Sequence, residues 1–118
     1  MKAITGTGLL MLFIIGSVLS QSTGASRITG TWLVEDGSAH ISIMEQDGKY
    51  HGKIVWLKDP SDTYGRPVKD TENPDERLRS RTQMGLMLLT DFTYDGDDLW
   101  EDGEIYDPDS GNTYSCKI

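Results

Sequence analysis

The residue types that most often do chemistry are scarce in this chain and badly spaced for it. Its two histidines, His40 and His51, flank the dipeptide Asp47-Gly48. If that dipeptide turns a hairpin, His51 stands opposite Met44, and His40 lies four residues further along the strand, about 13 Å away at the usual strand rise. The pair cannot share a metal ion. Both project with Ser42 and Lys53 to the side away from Ile41, Ile43 and Ile54, which is the solvent face. No Gly-x-Ser-x-Gly, His-Glu-x-x-His or Cys-x-x-Cys occurs, so the familiar serine-hydrolase, zinc-protease and redox signatures are missing. The acidic turns at 95–98 and 107–112 have the composition of calcium loops. An EF-hand loop needs an oxygen ligand at its fifth position and a glutamate at its twelfth. Leu99 and Gly111 stand at the fifth, and Ile118 at the twelfth of the second turn. Asp, Gly and Asn suit hairpin turns for conformational reasons instead. Neither a metal site nor a cofactor is expected.

Polar groups do gather between residues 57 and 85, where Asp70, Asn73, Asp75, Arg77, Arg79 and Arg81 occur together. Such groups are buried only if they satisfy one another. An Arg fork on a carboxylate would pin this loop over a barrel mouth. A sharper reading has one arginine pointing into the mouth to anchor an acidic ligand group, beside an aromatic wall. The candidate ligand-binding residues are then Trp56, Tyr64, Asp70, Asn73, Arg81 and Tyr106. A hydrolase using loop carboxylates would need Asp70 or Asp75 exposed in a pocket with a raised pKa.

The elements that must position these residues follow from hydropathy. Beyond residue 29 the apolar residues repeat with a period of two, the strand signature. Six strands are expected, near 30–35, 39–46, 49–57, 86–94, 98–106 and 113–118, in up-and-down order. A turn at Asp47-Gly48 sets Ile43 opposite Gly52, Ile41 opposite Ile54 and Ala39 opposite Trp56. One at Asp95-Gly96 sets Phe92 opposite Leu99, with Leu86 and Leu88 on the same side. A third, through 107–112, sets Ile105 opposite Tyr114 and Gly103 opposite Cys116. The stretch 57–85 is too long for a plain connection, and Asn73-Pro74-Asp75 reads as the cap of a short helical turn over 76–81. Tyr114, Cys116 and Ile118 still alternate where the chain stops. An open sheet would leave exposed edges, so the pattern suggests a barrel incomplete at the C-terminus.

Composition bounds the setting. Lys2 followed by an apolar stretch over 9–19 is too short for the ~20 residues of a spanning helix and reads as a signal peptide, residues 1–20, cut after Ser20. The expected location is periplasmic or secreted, with no membrane span after cleavage. Removing residues 1–20 leaves 98 of the 118 residues and takes away one basic residue, so 10 basic residues face 19 acidic ones, a charge of −9. That balance opposes nucleic acid and anionic membranes. Residues 21–29 are a polar, flexible lead-in, and 30–118 form one domain. Cys116 is the one cysteine. It permits no intrachain disulfide, so the core must hold the fold, and a free thiol in an oxidising compartment is expected to be buried.

Several spaced motifs carry a resemblance. Gly30-Thr31-Trp32, Gly52-Lys53-Ile54-Val55-Trp56-Leu57, Asp70-x-x-Asn73-Pro74-Asp75, Arg81-x-x-x-Gly85-Leu86 and Gly103-x-Ile105-Tyr106-Asp107-Pro108-x-x-Gly111-x-x-Tyr114 together resemble the bacterial exported family called domain of unknown function 2147. The resemblance implies a lipocalin-like small β-barrel behind a signal peptide, and a further C-terminal segment that this sequence lacks. It implies no activity. The fold expected is therefore all-β, a small antiparallel up-and-down barrel with an N-terminal signal helix. The function expected is an exported, non-catalytic module binding a small apolar or amphipathic ligand. The alternative is an envelope structural or protein-interaction domain with a filled barrel. A void above ~300 Å³ lined by Trp56, Leu88 and Phe92 would favour the first.

Overall fold

The period-two pattern does build strands. The computed structural model describes residues 12–14 and 24–118, with the backbone alone for 12–14 and for Cys116. The described strands are β1 Leu12–Ile14, β2 Gly30–Val34, β3 Ala39–Gln46, β4 Lys49–Leu57, β5 Met87–Tyr94, β6 Trp100–Glu101, β7 Gly103–Asp107 and β8 Asn112–Cys116. They run antiparallel in the order β1-β2-β3-β4-β5-β7-β8, with β6 also beside β5. The sheet wraps one core without closing, as an incomplete barrel would.

Of the expected signal helix, the structure describes 12–14, which form β1 with Leu12 opposite Val34; the remainder of 1–20 lies outside the described residues. The expected flexible lead-in is described from Gly24, and there it is ordered: Gly24–Ile28 form a 3-10 turn with Ile28 buried. The expected burial of the Cys116 thiol also falls outside the described residues. Among the described residues no helix is long and apolar enough to cross a membrane.

The first hairpin has the expected register at Ile43–Gly52 and Ile41–Ile54, around a turn in which Asp47 and Gly48 take φ of 54° and 81°, as the tight primed turn requires. It departs at the far end. A bulge gives β4 one extra residue, so His40 rather than Ala39 faces Trp56, and Ala39 faces Leu57. The second hairpin is corrected more fully. Asp95-Gly96 is not a two-residue turn. The Asp95 N–H donates to the Leu99 carbonyl and the Asp95 carboxylate accepts from the Asp97 N–H. The lengthened loop pairs Tyr94 with Trp100 and Thr93 with Glu101, so Phe92 does not face Leu99, and Trp100 takes the buried place. The single strand expected over 98–106 is broken at Asp102, whose φ is 62°. The third hairpin has the expected pairs, Ile105–Tyr114 and Gly103–Cys116.

Antiparallel alternation sorts the connections to two ends. The 47–48 and 95–99 turns share one end with the 3-10 turn. There the Trp32 indole N–H donates to the Ile28 carbonyl at 2.7 Å and the Trp100 indole to the Ala25 carbonyl at 3.1 Å, while Tyr94 packs on Trp100. Phe92, Ile41, Leu89 and Ile105 fill the middle with less than 2 % exposure. A Cβ at Gly103 would overlap the Phe92 ring, so glycine there lets the ring lie on the backbone. The other end carries the 35–38 turn, the long 58–86 loop and the 108–111 turn.

Candidate functional site

That second end holds a cavity of about 400 Å³. Val34, Ala39, Ile41, Ile54, Leu57 and Leu88 supply its apolar floor and walls from β2, β3, β4 and β5. Val68 and Gln83 supply a wall from the long loop. Asp36, Ser38, Asp59, Asp107 and Asp109 stand around it. The strands place their inward residues there by alternation, with the β4 bulge bringing Leu57 to the side of Ile54, whereas the loop must be held in place by something else.

What holds it is Asp70, which is fully buried. Its carboxylate accepts from the Tyr106 hydroxyl at 2.5 Å and from Arg81 Nε and Asn73 Nδ2 at 2.9 Å each. Its own N–H donates to the Arg81 carbonyl, and the Gln83 N–H to the Val68 carbonyl, so 68–70 and 81–83 lie side by side. Asn73 Oδ1 accepts from the Asp75 N–H, and Arg79 Nε donates to the Asn73 carbonyl at 2.7 Å. Asp75 caps the expected short turn, present as Glu76–Leu78, by accepting from the Arg77 N–H. The 108–111 turn abuts the loop: Gly111 has φ of 79°, and a Cβ on it would overlap the Glu72 carbonyl.

The electrostatics agree with a latch. Burial pushes the Asp70 carboxyl up, but the hydrogen bonds from Tyr106, Asn73 and Arg81 and the charge of Arg81 outweigh it and hold the carboxyl below the ordinary value. Burial, then the bond to Asp70, pushes the Tyr106 phenol up to about 12. Asp75 is also lowered, by the hydrogen bonds from Arg77. Neither carboxyl meets the requirement of a raised pKa that a loop-carboxylate hydrolase sets.

The six candidate mouth residues therefore divide. Asp70, Asn73, Arg81 and Tyr106 come together in the network that pins the loop, and none of the four is in the cavity lining. Arg81 and Tyr106 border a groove on the outer side of β5, β7 and β8, together with Asn73, Thr90, Glu104 and Thr113. Trp56 and Tyr64 lie apart from the cavity. The bulge turns Trp56 outward, 41 % exposed and stacked on His40 with ring centroids 4.3 Å apart. Tyr64 is 79 % exposed on a loop shoulder, beneath the Arg66 guanidinium. His51 Nδ1 accepts from the Asp91 N–H at 3.2 Å, so each histidine has a structural contact. The pocket residues missed from the sequence, Asp36, Asp59, Val68, Gln83 and Asp109, had one available signal. Up-and-down order alone sends the 35–38 and 107–112 turns to the same end.

From Gly30 to the last residue, the chain matches the family described as "Uncharacterized protein conserved in bacteria (DUF2147)", residues 30–118. The chain belongs to that family. It is also similar to a solved structure titled "Protein HP1028 from the human pathogen Helicobacter pylori belongs to the lipocalin family". The TM-score is 0.61 at 25% identity, over 75% of this chain and 58% of that one. The DUF2147 chain thus spans little more than half of that neighbour, and the likeness agrees with a lipocalin-like sheet that does not close. No curated protein matches.

Proposed function

We propose that this DUF2147 protein is an exported, non-catalytic binding module that takes a small apolar or amphipathic molecule into the open end of its barrel. The observation that carries the reading is the cavity of about 400 Å³ with an apolar floor, within the size range of ligand sites. The void sits over Leu88 as the criterion required, but Trp56 and Phe92 do not line it. Its likeness to a lipocalin-family protein supports the reading. Export is supported by Lys2 and the short apolar stretch over 9–19.

The test is native mass spectrometry of the protein, expressed from Met1 in a bacterial host and released gently from the periplasm. The expected result is a mature chain beginning at Gln21 that carries a dissociable small molecule. A chain retained in the cytoplasm would sink the export reading. A protein that carries nothing and binds no apolar dye would sink the binding reading. The second reading, an interaction domain with a filled barrel, is favoured by the closely packed middle around Phe92, Ile41, Leu89 and Ile105.

A further inference from the structure

The pocket has a charge as well as a shape. Among the described residues its acidic lining is Asp36, Asp59, Asp107 and Asp109, its neutral polar lining is Ser38 and Gln83, and no Lys, Arg or His side chain is in it. The ion pairs Arg66–Asp62, Arg77–Asp75 and Arg81–Asp70 in the long loop, and Arg27–Asp98 at the far end, use other carboxylates. The rim carboxylates come from three separate segments. Asp109 is pushed up by burial and then by the charges of Asp107 and Asp36, so the two turns face each other with like charge.

Among the described residues no three His, Cys, Asp or Glu are placed to hold a metal ion together. A rim this dispersed does not suit a bare cation, whereas the apolar floor below it suits a hydrocarbon body. A cleft with low-dielectric walls and one sign of charge concentrates ligands of the opposite sign. It also rejects an anionic amphiphile such as a fatty-acid carboxylate, which the shape alone would admit.

We infer that the ligand is a cationic amphiphile. Its apolar body lies over Ile41, Ile54 and Leu88, and an organic ammonium or similar positive head group sits among Asp36, Asp59, Asp107 and Asp109. The inference rests on the pocket being a ligand site, as proposed above, and adds the class of molecule it takes. The apolar cavity and the four carboxylates around it are separate observations, and each is needed: the first calls for a body, the second for a head group.

Three probes with one chain length test it: decylammonium, decanol and decanoate, titrated calorimetrically into the full-length protein at neutral pH and low salt. The expected order is decylammonium, then decanol, then decanoate, with about tenfold between neighbours. Added salt should narrow the gaps. The double substitution Asp59→Asn with Asp109→Asn leaves the Asp36 and Asp107 turn bonds intact, and it should cut the decylammonium-to-decanol ratio at least severalfold. Ser38→Trp, at the exposed rim, should weaken all three. Equal binding of the three, or an order that survives both salt and the double substitution, overturns the charge inference and leaves the pocket reading standing. If no probe binds, or if Ser38→Trp changes nothing, the pocket reading itself falls.

Discussion

At one end of the barrel the chain closes with apolar mass, and at the other it closes with polar bonds around an opening. The sealed end is redundant. The 3-10 turn Gly24–Ile28 is held by two indole N–H groups, by the burial of Ile28 and by an Arg27–Asp98 pair. The open end has a loop of nearly thirty residues, held by its own backbone bonds and by those to one fully buried carboxylate, Asp70. Burial of hydrocarbon is non-directional and tolerates small displacements. Hydrogen bonds to a buried carboxylate fix the positions of their donors. The difference explains why the ends can have different roles: the first supplies stability, and the second supplies a shaped wall, Val68 and Gln83, beside a space left empty.

The comparison can be broken or sharpened by substitution. Phe92→Ala should cost most, ~3–5 kcal/mol by urea or thermal unfolding, because a fully buried ring on the Gly103 backbone leaves a cavity that cannot collapse. Asp70→Asn should cost less, about 2–3 kcal/mol, since it removes charge-assisted bonds at a buried site. Its signature is selective: trypsin should cleave at Arg77 and Arg79 well before the strands open. If the loop and the strands become sensitive together, the two ends are not separable. Trp100→Phe should cost about 1 kcal/mol for the bond to the Ala25 carbonyl, read as faster amide exchange in Gly24–Ile28. Tyr64→Ser should change stability by less than ~0.5 kcal/mol and leave ligand binding unaltered.

The latch also predicts a pH window with opposite signs at its limits. Asp70 is lowered from 3.8 in the folded protein, so its contribution is complete above that value and is lost as pH falls through the folded pKa. Tyr106 is raised from 10.0 to about 12, so its contribution is complete below 10 and is lost as pH rises toward 12. Thermal stability of the parent and of Asp70→Asn should differ most between these limits and converge in acid. Ultraviolet titration of the tyrosines should show the buried Tyr50 and Tyr106 phenols ionising late in the parent, with Tyr106 ionising earlier in Asp70→Asn but still above the ordinary value, because burial, the larger cause, is unchanged.

Much of this was legible in the sequence. Ile41, Ile43 and Ile54 could be assigned to the core from alternation alone, and Asp47-Gly48 fixed the register beside it. The failures share a cause, which is backbone irregularity that hydropathy does not report. The bulge at Val55 turned Trp56 outward, and the positive φ at Asp98 and Asp102 lengthened one turn and cut one strand. The loop carboxylate and arginine were recognisable as partners because buried ions must pair. That they meet at Tyr106 depends on its hydroxyl direction, which no pattern announces. Asp107 and Asp109 have a turn role that their sequence shows, and Asp36 and Asp59 carry no signal of their own. That these four residues stand around one cavity follows only from two turns and the loop meeting over the same apolar floor.

Asp70 and Tyr106 are 36 residues apart, and this separation has a consequence for the order of assembly. Closing so long a segment costs chain entropy before any bond forms in return, and one partner sits on a strand that must first find its place beside β5. The β3–β4 hairpin, with its tight turn, can form early and alone. The Asp70–Tyr106 bond can form only once β7 lies beside β5, so the pocket wall takes its final place no earlier than that strand does.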